Sequence, residues 1–123
     1  MDGKTSKIKN MTEPLAKKAM GVYLYGSYAE GEAHAKSDVD ICVVAAEKRN
    51  ELYRDTNLLM AKHQMLDIKL FEELPISLKR GVMEKGVLLH SKDRKELEMY
   101  LRFYKQLWNE QAAVRLGYAK AIA

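Results

Sequence analysis

One cysteine in 123 residues leaves no partner for an intramolecular disulfide. Cys42 falls inside an apolar run, where a thiol serves as a small core side chain. No apolar stretch approaches the ~20 residues that a membrane-spanning helix needs, and the opening MDGKTSKIKN has no apolar segment of signal-peptide type. Both absences point to a cytoplasmic protein with no membrane partner. Proline and glycine are sparse and no internal repeat is visible, which excludes linker-rich and repeat architectures. His34, His63 and His90 are scattered without metal-ligand spacing and read as surface or loop residues. Neither a Gly-Lys-Ser/Thr phosphate loop nor a GxGxxG fingerprint occurs. The net charge of +4 is modest, and the lysines and arginines are interleaved with acids along predicted helices. Only Lys4, Lys7, Lys9 and the pair Lys17-Lys18 gather, which makes no case for direct nucleic-acid binding.

A chain of this length forms one domain, 1–123, with a real core and no room for a separate substrate domain. The pattern of elements predicts an α/β (α+β) class: a small mixed β-sheet flanked by helices, followed by a long C-terminal helix. Residues 1–10 are polar and expected to be loose at the extreme end. Met11 to Met20 reads as a first helix with Thr12 as N-cap and Pro14 in its first turn. Strands follow at Val22–Tyr25 and from Ser37-Asp38 to Val44. Glu47 to His63 reads as an amphipathic helix with Leu52, Leu58, Leu59 and Tyr53 inward. Met65 to Phe71 alternates as a strand, with Leu66, Ile68 and Leu70 on one face and Asp67, Lys69 and Phe71 on the other. A short helix from Leu74 to Lys85 is stopped by Gly86, and Val87–His90 reads as an edge strand. Ser91 or Asp93 caps a last helix over about 94–119, weakened at its end by Gly117. In it Leu97, Tyr100, Leu101, Tyr104, Leu107 and Trp108 recur at helical spacing. Its second half is surplus to the core and suits partner docking, while the alternative is that its Tyr and Trp side chains pack within the domain itself.

The chemistry concentrates between Gly21 and Val44. Asp38 and Asp40 are two apart on a strand and project to the same face, away from Val39, Ile41 and Val43. Unpaired carboxylates side by side repel, and a divalent cation such as Mg²⁺ or Mn²⁺ resolves the repulsion with hard oxygen ligands. Asp67, an acid inside another apolar strand, demands a partner and would join them if its strand lies next to theirs. Gly26 lets backbone approach a ligand closely, and a helix starting at Ser27 would aim free N–H groups at an anion. Tyr28 to Gly31 reads as a short helical turn. Ser37 adjoins Asp38 and is a further nucleotide-binding candidate. Lys69 shares the face of Asp67, placed to touch phosphate or to neutralise carboxylates. Tyr25 and Tyr28 flank the Gly-Ser and are candidates to stack on a base.

Gly26-Ser27, ten residues, then Asp38-Val39-Asp40, set between two apolar strands with a third acid downstream, resembles the signature of the DNA polymerase β-type nucleotidyltransferase superfamily. In particular the chain is similar over nearly its whole length to the minimal nucleotidyltransferase (MNT) domains of prokaryotes. The resemblance implies the nucleotidyltransferase fold and two Mg²⁺ ions held by Asp38, Asp40 and Asp67, with ATP as substrate on Gly26 and Ser27. It also implies a HEPN-type ribonuclease toxin as partner in a hetero-oligomer, neutralised by transfer of AMP to one of its tyrosines. Two alternatives stay open: transfer to a small-molecule hydroxyl such as that of an aminoglycoside, and an antitoxin that neutralises by binding alone. One departure stands out. Glu30 occupies a position where many members of the family carry a basic residue, which removes a contact to the triphosphate.

Overall fold

The computed structural model describes residues 3–27, 29 and 38–115, with side chains described as far as 110. The first described element is α1 (Gly3–Met11), a helix not assigned from the sequence, and Ile8 of this helix is buried. Thr12 ends α1 and does not begin the next helix. Its hydroxyl donates to the carbonyl of Ile8 at 3.0 Å, and Glu13–Leu15 behind it forms only a 3-10 turn carrying Pro14. Proline lacks the N–H that would continue an α-helix, so the predicted helix over 11–20 splits at this point.

Strand β1 (Gly21–Tyr25) pairs antiparallel with β2 (Val39–Val44). The helix α2 (Arg49–Lys62) returns the chain to β3 (Leu66–Leu70), which lies parallel to β2, as a helical crossover permits. After α3 (Ile76–Lys85), β4 (Val87–His90) adds antiparallel to β1 at the far edge, giving the order β3-β2-β1-β4. The last helix, α4 (Arg94–Arg115), is capped by Asp93, whose Oδ1 accepts the N–H of Glu96 at 3.2 Å. The expected mixed sheet with flanking helices and a long final helix is therefore the fold observed. Gly117 lies outside the described residues.

Each face of the sheet has its own core. On one, Val22, Leu24, Ile41, Val43, Ile68 and Leu70 pack with Leu15, Leu52 and Leu59. On the other, Cys42 and Val44 meet Phe71, Val82 of α3 and Leu97 of α4, with Tyr100 and Tyr104 closing over them. Two sequence expectations change here. Leu58 is 71% exposed and Tyr53 54% exposed, because α2 presents Leu52, Thr56 and Leu59 inward at four- and three-residue spacing. Phe71 keeps the face expected of it, fully buried against Cys42 and Val44, although the chain has already left β3 into a 3-10 turn. His90 is not a surface residue. Its Nε2 donates to the carbonyl of Lys9 at 2.9 Å and meets the Thr12 hydroxyl at 3.1 Å, fastening α1 to the edge strand.

Candidate active site

Strand register assembles the site. Tyr25, the last residue of β1, stands opposite Asp40, and Asp40 stands in register with Asp67 on β3. Neighbouring strands lie ~4.8 Å apart, and residues in register share a face. The two acids are therefore adjacent at the N-terminal end of the parallel pair. Val39 and Ile41, pointing the other way, are buried in the core and lock that register, because a one-residue slip would exchange core and solvent faces. Asp38 immediately precedes β2 and is exposed, and Ser37 lies outside the described residues, as do Tyr28, Glu30, Gly31 and His34.

Gly26 turns the chain directly above Asp40. Its φ is +72°, a left-handed conformation that side chains with a Cβ resist, and a Cβ there would collide with Oδ2 of Asp40. The glycine is thus required twice over, by backbone conformation and by the carboxylate it touches. Ser27 follows in the same turn and is partly buried.

The electrostatics are those of crowded negative charge. Burial, then the Asp67 carboxylate, raises the pKa of Asp40; Asp38 adds to the rise, and the Lys69 ammonium opposes it. Lys69 Nζ lies 3.8 Å from Oδ2 of Asp67, so of its two predicted roles the geometry displays the neutralising one. Both side chains are about half exposed, which limits the pair to ~1 kcal/mol or less. Burial likewise pushes up the Tyr25 phenol, with Asp40 contributing. A divalent cation fits this arrangement, because it would reverse the repulsion at Asp40 that a single lysine only moderates. Among the described residues no three carboxylate, imidazole or thiolate groups already stand together as a metal cage. Asp38, exposed, and Asp67, partly exposed, would hold the ion together with Asp40.

Sequence reasoning missed Tyr53, Asn57 and Met60, which line a hollow beside Asp67. From the sequence Tyr53 reads as an inward-facing side chain, and no local signal marks Asn57 or Met60.

The family model described as "Polymerase beta, Nucleotidyltransferase" matches residues 6–95. The chain belongs to this nucleotidyltransferase family. A curated relative from Methanocaldococcus jannaschii, named "Putative protein adenylyltransferase MJ1547", is 35% identical over 95 residues, spanning 76% of this chain and 72% of the relative. Among solved structures, a chain of a toxin–antitoxin complex with AMP-PNP superposes with a TM-score of 0.66 at 24% identity, covering 96% of this nucleotidyltransferase and 97% of that chain. A chain from the complex of tri-AMPylated Shewanella oneidensis HEPN toxin with MNT antitoxin gives 0.61 at 21% identity, covering 96% and 94%. At these identities the structural likeness is one of fold. None of the helices of this nucleotidyltransferase, among the described residues, is long and apolar enough to cross a membrane.

Proposed function

We propose that this nucleotidyltransferase is an antitoxin that transfers AMP from ATP to a tyrosine hydroxyl of a HEPN-type toxin in the cytoplasm. The observation that carries the reading is the register row Tyr25–Asp40–Asp67 with the left-handed Gly26 turn resting on Asp40. In this reading the turn would bind an anion opposite the paired carboxylates, which is what phosphoryl chemistry on a nucleoside triphosphate needs. The curated relative's name supports adenylyl transfer to protein, and the fold neighbours supply the choice of partner.

In this reading Gly26 and Ser27 hold the β- and γ-phosphates, with Ser37 and Lys69 as further contacts to the nucleotide. Asp38, Asp40 and Asp67 would hold two Mg²⁺ ions, which when bound neutralise the triphosphate and acidify the acceptor hydroxyl. Asp67 lies on the side away from Gly26 and receives the proton of that hydroxyl. The hydroxyl oxygen bonds to the α-phosphorus as the bond to the leaving oxygen breaks, releasing pyrophosphate and leaving a phosphodiester on the acceptor. Met99 and Phe103, 69% and 61% exposed on α4, offer the partner an apolar contact of the kind a docking helix presents.

Intact mass of the HEPN partner after incubation with this protein, ATP and Mg²⁺ tests the reading, beside an Asp38→Asn/Asp40→Asn control. Increments of AMP that vanish in the control support it. A stable complex without any increment would leave neutralisation by binding alone, and neither complex nor increment would direct the search to small-molecule acceptors.

A further inference from the structure

Two hollows flank the acid row. One, of about 350 Å³, lies between Gly26 and α3, on the side assigned above to the triphosphate. The other, of about 260 Å³, opens at the outer edge of β3, lined by Asp67, Lys69 and Glu73 together with Tyr53, Asn57 and Met60 of α2. The phase of β3 is fixed by the N–H of Val39 donating to the carbonyl of Met65 at 2.8 Å. Alternate residues of a strand turn their backbone groups to opposite sides. Residues 65, 67 and 69 therefore face β2, and Leu66, Ile68 and Leu70 face outward.

The outward N–H of Ile68 donates to the thioether sulfur of Met60 at 3.3 Å. A thioether is a weak acceptor on a flexible side chain. A peptide carbonyl would replace it with a stronger hydrogen bond, and strand edges recruit extended polypeptide in this way. A residue added opposite Asp67 would project to the same face as that carboxylate. The lining also suits peptide: the Asn57 amide both donates and accepts, as a peptide group does, and Tyr53 offers an exposed aromatic surface.

We propose that the outer edge of β3 takes the acceptor as an extended polypeptide segment, paired with the backbone at Ile68, gripped by Tyr53 and Asn57, and presenting its hydroxyl to Asp67. The proposal rests on the adenylyl-transfer reading and identifies its acceptor subsite.

The test uses the full chain with the HEPN partner, ATP and Mg²⁺, comparing wild type with Tyr53→Ala/Asn57→Ala, both exposed positions whose truncation leaves the core intact. The expected result is a roughly tenfold rise in KM for the partner, with the dissociation constant for ATP unchanged. In parallel, a photo-crosslinking amino acid at position 57 should capture the partner peptide that carries the modified residue. Transfer with an unchanged partner KM would overturn the proposal and leave the function standing. A matching loss of ATP affinity would also overturn it, by giving the hollow to the donor. Crosslinking at position 57 without any AMP transfer would uphold the docking edge and sink the transfer reading. Labelling of a small hydroxyl compound alone, with no crosslink to protein, would sink both.

Discussion

Asp40 sits partly buried at the start of β2 with Asp67 beside it, and burial followed by that neighbouring carboxylate raises its pKa. An acid whose folded pKa exceeds its unfolded value binds its proton more tightly in the native state. Its contribution to stability is complete below the unfolded pKa and is lost as pH rises through the raised folded value. Thermal unfolding followed from pH 3.5 to 7 should therefore show a downward component that Asp40→Asn removes. Mg²⁺ at pH 7 should raise the wild-type Tm and leave Asp40→Asn unmoved; an equal shift in both would place the ion elsewhere. At Gly26 the penalty is steric. Gly26→Ala must hold a Cβ at φ +72° and push aside the Asp40 carboxylate, costing about 1–2 kcal/mol for the backbone alone. Chemical denaturation should register that loss, and turnover should fall with it because the turn and the acid move together.

At the scale of the element, α2 distinguishes position from composition. Leu52 is fully buried and Leu58 is 71% exposed, although both are leucines in one helix. Leu52→Ala should cost about 2–5 kcal/mol through lost burial and the cavity left behind, whereas Leu58→Ala should stay within about 0.5 kcal/mol. Urea midpoints of the two variants measure the difference directly. The strands were legible in the sequence because β-branched and apolar runs bounded by glycine or acid need little context. The helix faces were less so: α2 carries leucines on two sides, and Thr56 takes an inward place with its hydroxyl donating to the Tyr53 carbonyl at 2.9 Å. The break after α1 was hidden for a related reason, since Thr12 reads equally as the start of one helix or the end of another, and only its bond to Ile8 decides.

Across the whole molecule, the two ends of β2 divide the work. Asp40 lies at one end; at the other, Glu72 accepts the N–H groups of Ala45 at 3.1 Å and Ala46 at 2.9 Å and the Tyr100 hydroxyl at 2.7 Å. Ala46 is held at φ +52°, a conformation costly for any residue with a Cβ, so Glu72 fastens a strained corner to α4. Burial, then hydrogen bonds to Tyr104 and Glu72, pushes the Tyr100 phenol well up, keeping it protonated as the donor. Glu72→Ala should lower stability by about 1–3 kcal/mol for the groups left unpaired. Five residues of extended chain put this corner roughly 16 Å from Asp40, so ATP affinity at a temperature where the variant is folded should not change. Calorimetric titration against the measured Tm separates the two effects.

By itself the sequence determined the strands, the helical crossover, and the acids and glycine proposed for the site, because each follows from short-range pattern: alternation in a strand, a break at glycine, a charge inside an apolar run. Only tertiary structure decided that Asp40 and Asp67 stand in register, that Gly26 rests on Asp40, and that His90 and Glu72 are interior fasteners. Those facts depend on pairing and packing between segments far apart in the chain, where the residue opposite is chosen by the whole fold and not by the neighbours in sequence.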